Sequence, residues 1–134
     1  MNNKTYLILA GIIVVGGIWN YFRTGGGDPS KIVNNVNSDE MFKAVTQNPD
    51  VLILDARTPG EYASGKIMNA TNIDYLNAGF ESKLTELDKS KKYYVYCRSG
   101  QRSMGMGKKM KKMGFSSVFN LRGGVMSWNK PLEK

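Results

Sequence analysis

The chain has 134 residues, with 19 Lys or Arg against 11 Asp or Glu, no histidine, and a formal net charge of +8. Its single cysteine excludes an intramolecular disulfide, a Cys-x-x-Cys redox pair and a resolving thiol. With no histidine it also lacks a Cys–His catalytic pair and the ligands for a zinc site, so no metal is expected.

Residues 6–22, from Tyr6 through Leu7-Ile8-Leu9-Ala10-Gly11-Ile12-Ile13-Val14-Val15 to Tyr21-Phe22, run without a charge. As a helix at about 1.5 Å per residue they would reach roughly 25 Å, the short end of a bilayer span, with aromatic residues at both ends. No Ala-x-Ala-like cleavage site follows, and Trp19, Tyr21 and Phe22 occupy the place one would need, so a retained anchor is expected rather than a signal peptide. Lys4 precedes the span while Arg23 and Lys31 follow it, which tips the expected single-pass orientation towards a cytoplasmic C-terminal domain. A lone reactive thiol is also more easily kept reduced there. Thr24-Gly25-Gly26-Gly27-Asp28-Pro29-Ser30 has linker composition, dividing an anchor at residues 1–28 from a domain at 29–134.

Within that domain, Lys31 to Val36 reads as a first short strand, and Ser38 can cap a helix that runs through Val45. Val51 to Leu54 is a continuous apolar run, as in a strand covered on both faces of a parallel sheet. Thr58-Pro59-Gly60-Glu61-Tyr62 opens a short helix with proline in its first turn and Gly65 after it. Ala70 to Ile73 reads as a third strand, Gly79 to Leu87 as a helix, and Tyr93 to Cys97 as a fourth strand. Met106, Met110 and Met113 then share one face of a helix whose other face carries Lys108, Lys109, Lys111 and Lys112. Val118 to Leu121 is a fifth strand and Gly124 to Asn129 a closing helix. The alternation predicts the α/β class: an open parallel sheet with right-handed crossovers and helices on both faces, preceded by one transmembrane helix.

Ligand sites in such sheets lie beyond the carboxyl ends of the strands, and Cys97 stands at one. The loop Cys97-Arg98-Ser99-Gly100-Gln101-Arg102-Ser103 joins strand to helix, so backbone N–H groups and the helix N-terminus converge on the sulfur, and Arg98 and Arg102 add positive charge. A thiol there ionises below its free pKa of about 8.5 and becomes nucleophilic near neutral pH, activated by electrostatics rather than by a base. The alternative is an inert cysteine that merely fills the core at a strand end. Asp55 and Arg57, at the end of another strand, are read as supporting residues that orient loops by hydrogen bonds.

The loop resembles that of the rhodanese-like sulfurtransferases, Cys-x-x-Gly-x-Arg-Ser, matched by Cys97, Gly100, Arg102 and Ser103. Leu52-Ile53-Leu54-Asp55-Ala56-Arg57, Glu61-Tyr62, Gly65-Lys66-Ile67 and Ala70-Thr71-Asn72-Ile73 are similar to the family's first signature. Gly114-Phe115, Val118, Leu121, Gly123-Gly124 and Trp128 are similar to its closing one, with Lys66 where the family usually has histidine. The resemblance implies a rhodanese-like fold and a thiosulfate-type sulfurtransferase. Cys97 would carry the sulfur as a persulfide, and Arg98, Ser99, Gly100, Gln101, Arg102 and Ser103 would bind a small anionic donor. The outer sulfur would then pass to a thiophilic acceptor, a protein among the candidates, with no cofactor needed. A Cys-loop phosphatase or arsenate reductase is the enzymatic alternative, but Cys97 to Arg102 is Cys-x4-Arg where those use Cys-x5-Arg. A non-enzymatic persulfide carrier or binding module is the other.

From Lys89 to Leu132 there are eleven Lys or Arg and no acid, whereas Ser30 to Asp88 holds five basic and nine acidic residues. The loop therefore sits in a basic half, which would steer small anions to it. A plain solvated lysine face, or contact with anionic lipid headgroups through the 6–22 anchor, would use the same charges. Nucleic acid is not expected, since the basic run lacks interleaved aromatic residues for stacking.

Overall fold

Residues 32–134 are the part of the chain that the computed structural model describes. Their elements are β1 (Asn34–Val36), α1 (Ser38–Gln47), β2 (Leu52–Asp55), α2 (Pro59–Ala63), β3 (Thr71–Asn72), α3 (Phe80–Thr85), β4 (Lys92–Tyr96), α4 (Gln101–Lys112), β5 (Ser117–Leu121) and α5 (Gly124–Ser127). The strands form one sheet in the order β1-β5-β4-β2-β3, and every neighbouring pair is parallel. Parallel pairing demands crossovers, and a helix fills each one. β4 is central, with Tyr93 opposite Leu52 on one side and Val118 on the other.

Alternation along β4 divides the core in two. Tyr93, Val95 and Cys97 join Leu54 of β2 and the helix residues Leu84, Met106 and Met110 on one face. Tyr94 and Tyr96 join Ile53, Met41 of α1 and Trp128 just beyond α5 on the other. Both faces are thus covered by helices, and this is why Leu52 to Leu54 of β2 and Tyr93 to Tyr96 of β4 run without polar alternation. Met106 and Met110 are fully buried while Lys108 and Lys112 are exposed, as the spacing of the methionines requires.

Several boundaries shift. The cap of α1 is Asn37, whose side chain accepts from the Glu40 N–H; Ser38 is instead the first helical residue, and its hydroxyl donates to Asn129 at 2.9 Å. The first strand begins at Asn34 rather than Lys31, and the closing helix ends at Ser127. Lys66 packs without difficulty. Its ammonium lies 4.6 Å from the centre of the Tyr62 ring, and its backbone exchanges two 2.8 Å hydrogen bonds with Glu133.

The expected single-pass membrane localisation is corrected. Among the described residues no helix is long and apolar enough to cross a membrane. The longest, α4, has 12 residues and carries four lysines, against the roughly 20 apolar residues that a span needs. The span expected over residues 6–22 and the linker after it lie outside the described residues.

Candidate active site

The carboxyl ends of β2 and β4 lie side by side, with Asp55 opposite Tyr96. Two polar clusters are built on that edge, one behind the other in burial.

The first grows from Asp55. Its carboxylate accepts from the Arg57 backbone N–H at 2.9 Å and from the Arg57 guanidinium through Nε and Nη2 at distances down to 2.7 Å. The Tyr96 hydroxyl donates to Asp55 Oδ2 at 2.7 Å and accepts from the Ile67 N–H at 3.1 Å. Arg57 Nη2 also donates to the Gly65 carbonyl at 2.6 Å, and Asn72 closes the turn by donating to the carbonyls of Asp55 and Arg57. Asp55 is fully buried and Arg57 nearly so, which is tolerable because each is paired and hydrogen-bonded. Burial works against the Arg57 charge, but the bonds and charge of Asp55 outweigh it and hold the guanidinium above its ordinary pKa. Burial, then the Asp55 contact, pushes the Tyr96 phenol upward, so it stays a neutral donor.

The second cluster surrounds Cys97, a free and buried thiol immediately after β4. Gly100 adopts φ +101° and turns the chain into α4; its N–H donates to Cys97 Sγ at 3.1 Å. A side chain at Gly100 would have both a left-handed backbone to adopt and the Leu121 carbonyl and Gly123 N–H 3.3 Å from its Cβ. Ser103, one helical step in, is fully buried, with its hydroxyl 3.4 Å from Sγ. Burial pushes the thiol up, yet the Ser103 hydroxyl and the backbone N–H groups of Ser103, Gly100 and Ser99 together hold it below its ordinary value. The donors gathered around the sulfur are thus mainly backbone N–H groups, with the Ser103 hydroxyl beside them.

The far wall of the loop is fixed by the chain after β5. The N–H groups of Val125 and Met126 donate to the carbonyls of Cys97 and Arg98 at 2.8 and 3.2 Å. Gly124 makes this approach possible: at φ +61° a Cβ there would overlap both of those carbonyls.

Arg98, Ser99 and Gln101 are exposed around the mouth of the loop. Arg102 is not a free cation. Its Nη1 and Nη2 meet Glu61 Oε1 and Oε2 at 2.9 and 3.0 Å, a two-pronged pair between the start of α4 and α2. The Arg102 hydrogen bond is the main reason that the Glu61 carboxyl falls from an ordinary 4.5 to about 2. Glu61 is itself placed by a capping box, in which its backbone N–H reaches the Thr58 hydroxyl and its carboxylate reaches back to Thr58. Reading the sequence for chemistry passes over Glu61, although the Thr58-x-x-Glu61 spacing is a legible signal for the cap. It also passes over two neutral amides, buried Asn120 behind the loop and exposed Asn35 on β1: Ser103 Oγ donates to Asn120 Oδ1 at 2.6 Å, and Asn120 Nδ2 donates to Asn35 Oδ1 at 3.0 Å and to the Gly100 carbonyl at 3.2 Å. No residue type marks such a role.

Fold and site together define a class: a parallel α/β sheet that presents one thiol to backbone N–H groups just past its central strand. Comparison with known proteins narrows the class: the model of the rhodanese-like domain matches residues 38–131, and the chain belongs to that family. A sulfurtransferase of Allochromatium vinosum is 33% identical over 97 residues, covering 72% of this chain and 89% of its own length. A tRNA uridine(34) hydroxylase of Cytophaga hutchinsonii is 34% identical over 104 residues, but the chain spans only 33% of it. The crystal structure of a rhodanese-like domain protein from Staphylococcus aureus superposes with a TM-score of 0.67 at 28% identity, over 75% of this chain and 97% of that one.

Proposed function

We propose that this chain is a sulfurtransferase that moves sulfane sulfur through a persulfide on Cys97, with a small anion of the thiosulfate type as donor. The observation that carries this is the sulfur itself: sole thiol of the chain, 3.1 Å from the Gly100 N–H, and held below its ordinary pKa despite burial. A thiolate held by backbone donors needs no base, and the chain has no histidine to supply one.

The reaction balances in two displacements. Cys97 thiolate attacks the outer sulfur of the donor, a sulfur–sulfur bond forms to Cys97, and the donor's own sulfur–sulfur bond breaks with its electron pair leaving on sulfite. A thiophilic acceptor, a thiolate or cyanide, then takes the outer sulfur while the bonding pair returns to Cys97 as thiolate. Throughout, negative charge sits on sulfur inside the ring of N–H groups, which stabilise it without rearranging. Exposed Arg98 would meet the anionic donor first, and Arg102 would reach it by sharing a guanidinium that Glu61 already holds. The sulfurtransferase relative of Allochromatium vinosum, matched over most of its length, supports the reading. The Cys-x4-Arg spacing argues against a phosphatase, whose tetrahedral substrate needs a wider cradle.

The test is intact-protein mass after exposure to thiosulfate. The protein should gain one sulfur atom and lose it to cyanide, and Cys97→Ser should fold, stay unchanged in mass and transfer nothing. Sulfur transfer by Cys97→Ser, or aryl-phosphate hydrolysis in place of sulfur loading, would overturn the assignment.

A further inference from the structure

Ser103 has one hydroxyl proton and two neighbours that can accept it. Asn120 Oδ1 lies 2.6 Å from its oxygen and Cys97 Sγ lies 3.4 Å away. The orientation of the Asn120 amide follows from its other contacts. Its nitrogen faces the Gly100 carbonyl, which can only accept, so the amide oxygen must be the atom turned to Ser103. Asn35 Oδ1 takes the second amide proton at 3.0 Å and ties the arrangement to β1. The Ser103 proton is therefore committed to Asn120. Towards sulfur Ser103 then presents lone pairs, which suit a thiol S–H but repel a thiolate.

We propose that Asn120 is a positioning residue: it draws the Ser103 proton away from Cys97 while the sulfur is a thiol, and the hydroxyl swings to Sγ when the sulfur becomes charged. The motion is rotation of one hydroxyl, since the serine oxygen already stands between the two acceptors. Ionisation of Cys97, with its proton passing to solvent, costs the Ser103–Asn120 bond and gains a charge-assisted bond to sulfur. Asn120 thus sets how readily the thiolate forms without touching it, and keeps an unionised Cys97 from being over-activated. Charged groups reach this site from several other elements. Arg102 of α4 acts on Cys97, Glu61 of α2 is held near 2 by Arg102, and Asp55 at the end of β2 acts on Arg102. β5 and β1 bring only the neutral amides, and Arg98 lies in the loop itself.

The inference takes Cys97 as the reactive group but needs no particular donor, so it is tested without one. The rate of iodoacetamide alkylation against pH gives the ionisation midpoint of Cys97 in the full chain. Asn120→Leu removes the competing acceptor and should lower that midpoint by about half a unit to one unit, the worth of one hydrogen bond. In a Ser103→Ala background the same substitution should leave the midpoint where it was. An unchanged or raised midpoint, or an equal shift in both backgrounds, would overturn the proposal, because a purely structural Asn120 has no reason to act through Ser103. If Asn120→Leu does not fold, Asn120→Asp keeps the size and offers a stronger acceptor. The midpoint should then rise by more with Ser103 present than in the Ser103→Ala background, and equal rises would overturn the proposal. Failure of thiosulfate loading would fault the sulfurtransferase reading and leave this result standing.

Discussion

Two arginine–carboxylate pairs stand at the same edge of the sheet, Asp55–Arg57 and Glu61–Arg102, and burial separates their roles. The first joins neighbours in sequence, with side chains 0% and 6% exposed, and surrounds them with Tyr96, Gly65 and Asn72. The second joins residues 41 apart, with side chains 33% and 23% exposed, and leaves the guanidinium beside the mouth of the loop. A buried pair whose every lone pair is occupied cannot change partner without paying for an uncompensated charge. A half-exposed pair can, because water covers the loss. Identical chemistry thus gives a fixed brace under the loop and an exchangeable charge at its rim.

The largest way to break the contrast is at the brace. Asp55→Ala strands a buried guanidinium and the Tyr96 hydroxyl, and should lower stability by about 3–5 kcal/mol in chemical denaturation. At the rim, Arg102→Ala should change stability by no more than about 1 kcal/mol. It should nevertheless lower kcat/KM for thiosulfate by more than about tenfold, the equivalent of one charge-assisted contact of 1.5–3 kcal/mol. Wild-type kinetics in that variant would remove Arg102 from donor binding.

Glu61→Gln sharpens the contrast more gently. It leaves Arg102 in place but unneutralised, so the KM for thiosulfate should fall by up to about fivefold, the span of an exposed ion pair, with little change in stability at neutral pH. Acid distinguishes the variant further. The folded-state pKa of Glu61 is depressed, so its contribution is fully present above the ordinary 4.5 and is lost as pH falls towards about 2. After solvent screening that contribution is under about 1 kcal/mol. A small loss of stability between those two pH values should appear in the wild type and be missing in Glu61→Gln.

Most of the brace, and nearly all of the sheet, could be read from residues alone. The apolar runs of β2 and β4, the methionine spacing of α4 and the placement of Asp55, Arg57 and Cys97 at strand ends are local patterns with direct physical meaning. Asp55 and Arg57, read as orienting loops by hydrogen bonds, are bonded to each other, and Arg57 also to the Gly65 carbonyl. The rim was harder, because its partners meet across the fold. Nothing in Arg102 announces Glu61, and an asparagine near the end of a strand carries no mark that it will face a serine 17 residues earlier. The loop backbone was anticipated only as a tendency; which N–H groups reach the sulfur depends on the left-handed turn at Gly100. Over residues 6–22 an uncharged run was legible, but the membrane localisation drawn from it found no support in the described structure.

Gly124 bears on how freely this loop can be transplanted. Because a side chain there would overlap the carbonyls of Cys97 and Arg98, and because the Val125 and Met126 N–H groups hold those same carbonyls, the loop's inner polarity is set by a segment that follows it by more than 20 residues. With those two carbonyls bonded outward, the loop turns N–H groups towards the sulfur, beside the Ser103 hydroxyl. An engineer who moved residues 97–103 into another scaffold would carry over the nucleophile and its arginines but lose the clasp that orients the peptides. The smallest portable unit is therefore discontinuous: the cysteine loop with its helix, and the turn around Gly123-Gly124 that locks it from behind.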